Sequence, residues 1–142
     1  MILCDINLLV YATVRSMPQH RLAVKWLAER LADEVPLALS HPTAFGFIRI
    51  TTNRKIFDSP RSVDEAVGDI ERWLDAGAVM ITPGPRHLSI AFQLLRELGT
   101  AGNLTTDVQL AALAIEHQAE LHSADVDFRR FKGLRWVNPL EP

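Results

Sequence analysis

Short apolar runs separated by helix-length amphipathic stretches repeat along the whole chain, and no other feature restricts its fold so strongly. Ile2-Leu3-Cys4-Asp5, Val35-Pro36-Leu37-Ala38-Leu39-Ser40, Ala78-Val79-Met80-Ile81 and Glu120-Leu121-His122-Ser123 read as short buried strands, with Leu134-Arg135-Trp136-Val137 as a fifth. The strand ending at Asp5 turns directly into a helix through Ile6-Asn7-Leu8-Leu9-Val10-Tyr11. Pro18 begins a second helix, in which Leu22, Ala23, Trp26, Leu27, Arg30 and Leu31 recur at helical spacing. Ser40 is a natural N-cap for a third, with Pro42 in its first turn and Phe45, Ile48 and Thr52 along one stripe. Phe45, Phe47, Trp26 and Trp73 are read as core packing.

Ser62 and Glu65 match a capping box at the start of a fourth helix, whose expected buried stripe is Val63, Val67, Ile70 and Leu74 and which Gly77 ends. After the Pro83-Gly84-Pro85 turn, Arg86 to Leu98 is helical and Gly99 stops it. Thr105 or Asn103 caps a last apolar helix through Leu110, Ala111, Leu113, Ala114 and Ile115. Strands that alternate with helices of this length demand right-handed crossovers and a parallel sheet covered on both faces. No internal repeat, low-complexity stretch or linker interrupts the pattern, so residues 1–142 are expected to form one domain.

Composition narrows the function classes. A single cysteine, Cys4, excludes an internal disulfide framework and fits a reducing compartment. The first apolar stretch has no basic flank and is interrupted by Asp5, unlike a signal peptide, and no run nears the roughly 18 residues of a membrane span. The expected location is the cytoplasm. With 15 basic and 17 acidic residues the net charge is −2, which argues against a non-specific nucleic-acid coat but not against an enzyme that touches a few phosphates.

In doubly covered parallel sheets the chemistry collects beyond the carboxyl ends of the strands, and the acids fall where that rule demands. Asp5 ends the first strand, Asp107 lies in the first turn of the last helix, and Asp125 and Asp127 follow the fourth strand. Each has a structural explanation of its own: a turn for Asp5, the helix dipole for Asp107, a cap for Asp125. Four converging carboxylates, however, would repel one another, and a divalent cation removes the conflict. Oxygen donors with several waters suit Mg2+ or Mn2+ rather than zinc.

The same segments resemble a known family. Met1-Ile2-Leu3-Cys4-Asp5-Ile6-Asn7 followed by an apolar helix is similar to the opening of PIN-domain toxins of the VapC type; Gly102-Asn103-Leu104-Thr105-Thr106-Asp107 resembles their third-acid segment, and Ser123-Ala124-Asp125-Val126-Asp127-Phe128 their fourth. Ile48-Arg49-Ile50 with Thr52-Asn53 and Phe57 resembles the second-helix region of the same toxins, so that nearly the whole chain is covered in order.

The resemblance implies a three-layer α/β/α sandwich around a central parallel sheet of four or five strands, Mg2+-dependent endoribonuclease activity leaving 5′-phosphate and 3′-hydroxyl ends, and a VapB-type antitoxin as partner in a toxin–antitoxin system. A homodimer is also expected. Asp5 and Asp107 would hold the metal, Asp125 would be the fourth acid with Asp127 a near alternative, and Asn7 and Thr106 would orient ligands or waters through hydrogen bonds. One position departs: where the family often carries a Glu before an apolar-apolar-Arg triplet, this chain has Gly46, ahead of Phe47-Ile48-Arg49. Fewer negative charges imply weaker metal binding before RNA arrives.

An acidic site that takes RNA needs cations nearby, and Arg49, Arg54 and Lys55 form one candidate group, Arg129, Arg130 and Lys132 another. Two other function classes remain open. A phosphotransfer domain could use Asp5 as a covalent nucleophile, although the residue two beyond is Asn7 and no suitable lysine follows a later strand. A degenerate PIN domain would bind RNA or protein without cleaving, a reading motivated by Gly46. The five histidines show no zinc spacing, and neither a phosphate loop nor a Gly-x-Ser-x-Gly elbow is present.

Overall fold

In the computed structural model, which describes residues 1–141, every strand joins one parallel sheet in the order β3-β2-β1-β4-β5. The strands are β1 (Ile2–Cys4), β2 (Leu37–Leu39), β3 (Val79–Met80), β4 (Glu120–His122) and β5 (Trp136–Val137). Six helices connect them: α1 (Ile6–Thr13), α2 (His20–Ala32), α3 (His41–Thr51), α4 (Val63–Asp75), α5 (His87–Leu98) and α6 (Thr105–Glu116). The chain lays β2 and β3 to one side of β1, then crosses over to lay β4 and β5 on the other. The order therefore reverses between β1 and β4, the point where such sheets open a crevice at their carboxyl edge.

Both faces are buried, which explains why the strands read as unbroken apolar runs. Successive side chains point to opposite faces, so Ile2, Cys4, Leu37 and Leu39 join Leu8, Leu9, Trp26, Leu27, Phe47 and Ile70 on the α1–α4 side. Leu3, Ala38 and Leu121 join Ala91, Leu94, Val108, Ala111 and Phe128 on the α5–α6 side. The result is the α/β/α sandwich, with five strands.

Several local signals act as read. Ser40 accepts from the Thr43 amide to cap α3, the Ser62–Glu65 capping box closes in both directions, and Gly99 takes the left-handed conformation (φ 69°) that ends α5. Others do not. α2 starts at His20, Pro18 lying in the preceding turn, and it buries Ala23, Trp26 and Leu27 while Leu22 is exposed. α6 follows a 3-10 turn at Gly102–Leu104 and has no side-chain cap, since the Thr105 hydroxyl donates to the Gly102 carbonyl instead.

On α3 the buried face is Thr43, Gly46, Phe47 and Thr51, and Phe45 is 68% exposed. Two threonines and a glycine disguised that face. Thr51 Oγ1 is satisfied by donating to the Phe47 carbonyl (2.8 Å) and Thr43 Oγ1 by the Ser40 hydroxyl (3.0 Å), so neither carries a burial penalty. On α4 the inward residues are Ala66, Asp69 and Ile70, with Val63 65% exposed and Val67 also outside. A buried acid stands where an apolar stripe was expected because Arg61 and Arg72 neutralise it.

Candidate metal centre

Asp5 follows β1 and caps α1, so its backbone is fixed twice. Its amide donates to the His122 carbonyl (3.0 Å), extending the β1–β4 pairing, while its Oδ1 accepts from the Ile6 amide (2.7 Å). Across the reversal point Ser123 follows β4 and donates its hydroxyl to Asp5 Oδ2 at 2.6 Å. The same hydroxyl accepts from Asn7 Nδ2 (3.2 Å) and from the Asp125 amide (3.0 Å). Asn7 completes the tie by donating to Asp5 Oδ2 (3.2 Å) and accepting from the Ala124 amide (3.3 Å). Ser123 is fully buried with both roles of its hydroxyl used.

From there the chain enters a 3-10 turn, Val126–Arg130, capped by Asp125, whose Oδ1 accepts from the Asp127 amide (2.9 Å). That turn brings Asp125 and Asp127 to Asp107, which the first turn of α6 presents from the other side. Asp107, Asp125 and Asp127 each offer a carboxylate oxygen within 4.8 Å of the others, a spacing one cation can bridge.

The electrostatics show how closely these acids interact. Burial, then the charges of Asp125, Asp5 and Asp127, push Asp107 up to about 6. Burial raises Asp5 too, with Asp125 adding to the rise, while the hydrogen bonds from Ser123 and Ile6 hold it back. Among the described residues no Lys, Arg or His lies within 4 Å of a carboxylate oxygen of Asp5, Asp107 or Asp125; Arg130 approaches only Asp127, at 3.8 Å. An all-oxygen set that lacks a protein counter-charge fits a hard divalent cation.

The structure thus brings all four predicted acids to one edge, with the closest trio being Asp107, Asp125 and Asp127 and with Asp5 beside it, tied to Asp125 through Ser123. Asn7 lies where a ligand-orienting residue was expected; Thr106 lines the adjoining cleft without a hydrogen bond to an acid. Arg129 and Arg130 sit in the turn beside Asp127, Arg129 stacked over Trp136 at 5.6 Å. Arg49 lies in the last turn of α3, and Arg54 and Lys55 in the turn that follows it. α3 runs away from the carboxyl edge, and at roughly 1.5 Å per residue its far end and the turn beyond it lie well over 10 Å from Ser40.

Sequence reading passed over Ser123, although a hydroxyl directly after a strand and two residues before an acid was the available signal. Gly46, in turn, packs against the Ile6 side chain. A Cβ built on it would meet Ile6 Cδ1, so a larger residue at 46 requires the Ile6 side chain to turn aside. Glycine here allows α1 and α3 to approach closely.

Comparison with known proteins agrees with the geometry. The sequence profile of the PIN domain matches residues 2–134. The chain is 47% identical over 141 residues to Ribonuclease VapC33 of Mycobacterium tuberculosis, covering 99% of each, and 41% identical over 143 residues to VapC ribonuclease Mb2897 of Mycobacterium bovis, covering 99% of this chain and 97% of that one. The solved structure of VapBC-1 from nontypeable Haemophilus influenzae superposes with a TM-score of 0.69 at 23% identity, over 99% of this chain and all of that one, a likeness of fold.

Proposed function

The chain belongs to the PIN-domain family and, within it, to the VapC ribonucleases, and from that premise we propose that its carboxyl-edge acids would bind Mg2+ and serve the hydrolysis of RNA phosphodiester bonds. The observation that carries this reading is the convergence of Asp107, Asp125 and Asp127 with Asp5 alongside, where among the described residues only Asp127 has a basic partner, Arg130 at 3.8 Å. When bound, a divalent cation supplies polarisation of the phosphate and lowers the pKa of water at neutral pH.

The protein's own part is positioning. Ser123 and Asn7 fix the Asp5 carboxylate, the Ser123 hydroxyl also holds the Asp125 backbone, and Asp125 in turn holds Asp127. Asp5 and Asp107 serve as ligands with Asp127, and Asp125 orients the attacking water and takes its proton. Arg129 and Arg130, exposed beside the cluster, meet the flanking phosphates. Arg49, Arg54 and Lys55 can meet only RNA that extends past the site.

The toxin works against a VapB-type antitoxin in the cytoplasm, and no helix among the described residues is long and apolar enough to cross a membrane. Phe45, Val63 and Val67, apolar yet exposed, provide surface that a protein partner would cover, and Leu88 and Phe92, one turn apart on α5, provide a second face for another copy of the chain.

Incubating the purified chain with total cellular RNA, with Mg2+, with Mn2+ and with chelator, tests the proposal. Metal-dependent fragments that disappear in Asp107→Asn are expected. Metal binding with no cleavage of any RNA would support the binding-only reading instead.

A further inference from the structure

Beside the carboxylates lies a cleft of about 110 Å3 that the metal centre does not account for. Asp5 and Asp107 form one wall, and the cleft runs from them between the start of α3 and the first half of α6. Its inner surface is apolar, with Ile81, Leu110 and Leu113 contributing side chains. Polar groups stand at its margin: His41 at the start of α3, His87 at the start of α5, and Gln109 on α6. His87 Nδ1 is buried without a hydrogen-bond partner.

Resting on the ribonuclease reading, we propose that this cleft is a nucleobase subsite, which receives the base next to the scissile phosphate of single-stranded RNA and sets the sequence preference of the cut. The occupant needs a flat apolar face and a polar edge, because binding sites of this kind combine apolar walls with a few fixed hydrogen-bonding groups. A base has both. Single-stranded RNA is read by splaying out its bases, stacking them on rings such as imidazole and bonding their edges. His41 and His87 offer the rings, and the Gln109 amide offers an edge contact. Because Asp5 and Asp107 line both sites, a phosphate at the carboxylates leaves the adjoining base within reach of the cleft.

The test uses the full chain, Mg2+ and a randomised single-stranded RNA, with cut positions mapped by sequencing the new 5′ ends. The wild type is expected to enrich one base at a fixed offset from the cut. His87→Ala and Gln109→Ala, both at the cleft margin, are expected to lower the ratio of preferred to disfavoured cuts by roughly tenfold each, the scale of one stacking or one base-edge contact. A ratio unchanged in both variants overturns the proposal. So does loss of inhibition by a VapB-type protein at unchanged ratio, which would give the cleft to the protein partner. Failure of the wild type to cut any RNA would bring down the ribonuclease reading and the subsite with it, whereas an unchanged ratio brings down the subsite alone.

Discussion

Two groups of acids in this molecule are treated in opposite ways. Asp69, on α4, is 4% exposed and charge-compensated: Arg61 Nη2 donates to its Oδ1 at 2.7 Å, Arg61 Nε lies within ion-pair distance of its Oδ2 at 2.6 Å, and Arg72 adds a further contact. Asp107, on α6, faces Asp5, Asp125 and Asp127 and is pushed up to about 6. Where an acid serves the fold, the chain supplies close cations; at the carboxyl edge it gathers four acids, and among the described residues only Asp127 has a basic partner, Arg130 at 3.8 Å. Unpaired clustered charge costs stability, so its presence at the reversal point of the sheet identifies the place where an external cation is expected.

Swapping the two roles should therefore have opposite consequences. Asp107→Asn should lower RNA cleavage by more than about 100-fold, since losing a ligand exceeds the 10–100-fold cost of losing its outer partners, yet it should raise the melting temperature of the metal-free protein at pH 7 by removing a repelled charge. Asp69→Ala should do the reverse. It should destabilise the fold by about 3 kcal/mol, because two guanidinium groups lose their partner, while leaving cleavage per folded molecule unchanged; urea unfolding and a cleavage assay on the same preparation separate the two.

Intermediate cases sharpen the contrast. Ser123→Ala removes the hydroxyl shared by Asp5 and Asp125 and should cost cleavage roughly 10–100-fold, mainly through weaker metal affinity, measured as a higher Mg2+ requirement. Gly46→Glu restores an acid that the family often has, but Ile6 fills the space. Destabilisation of about 1–3 kcal/mol from overpacking is expected, partly relieved by Ile6→Ala, with urea midpoints as the readout.

The smallest effect is on pH dependence. Asp107 and Asp5 are both raised in the folded chain above the ordinary carboxylate range near 4. The folded state therefore holds protons that the unfolded chain has released. Their contribution to stability is fully present below about pH 4 and is lost as pH rises through about 6. Melting of the metal-free protein should weaken across that window, and added Mg2+ should offset the loss above it.

The sheet, the helix order and the four acids were legible because each follows from local pattern: apolar runs, caps and strand-end positions. What escaped depended on tertiary partners. The exposure of Phe45 and Val63 follows from which face of α3 and α4 the neighbours cover, and periodicity gives a stripe without saying which side is packed. Asp69 was invisible because its burial requires Arg61, eight residues away. Ser123 was within a segment already singled out, but its role appears only when β4 pairs with β1 and sets its hydroxyl against Asp5.

The most direct test of the central claim is a titration of Mn2+ into the metal-free protein, followed by the loss of the free-ion electron paramagnetic resonance signal, for the wild type, Asp107→Asn and Asp69→Asn. The wild type and the Asp69 variant should remove Mn2+ from the free pool with equal capacity, and Asp107→Asn should remove far less. Equal binding by all three proteins, or none by the wild type, would contradict the account.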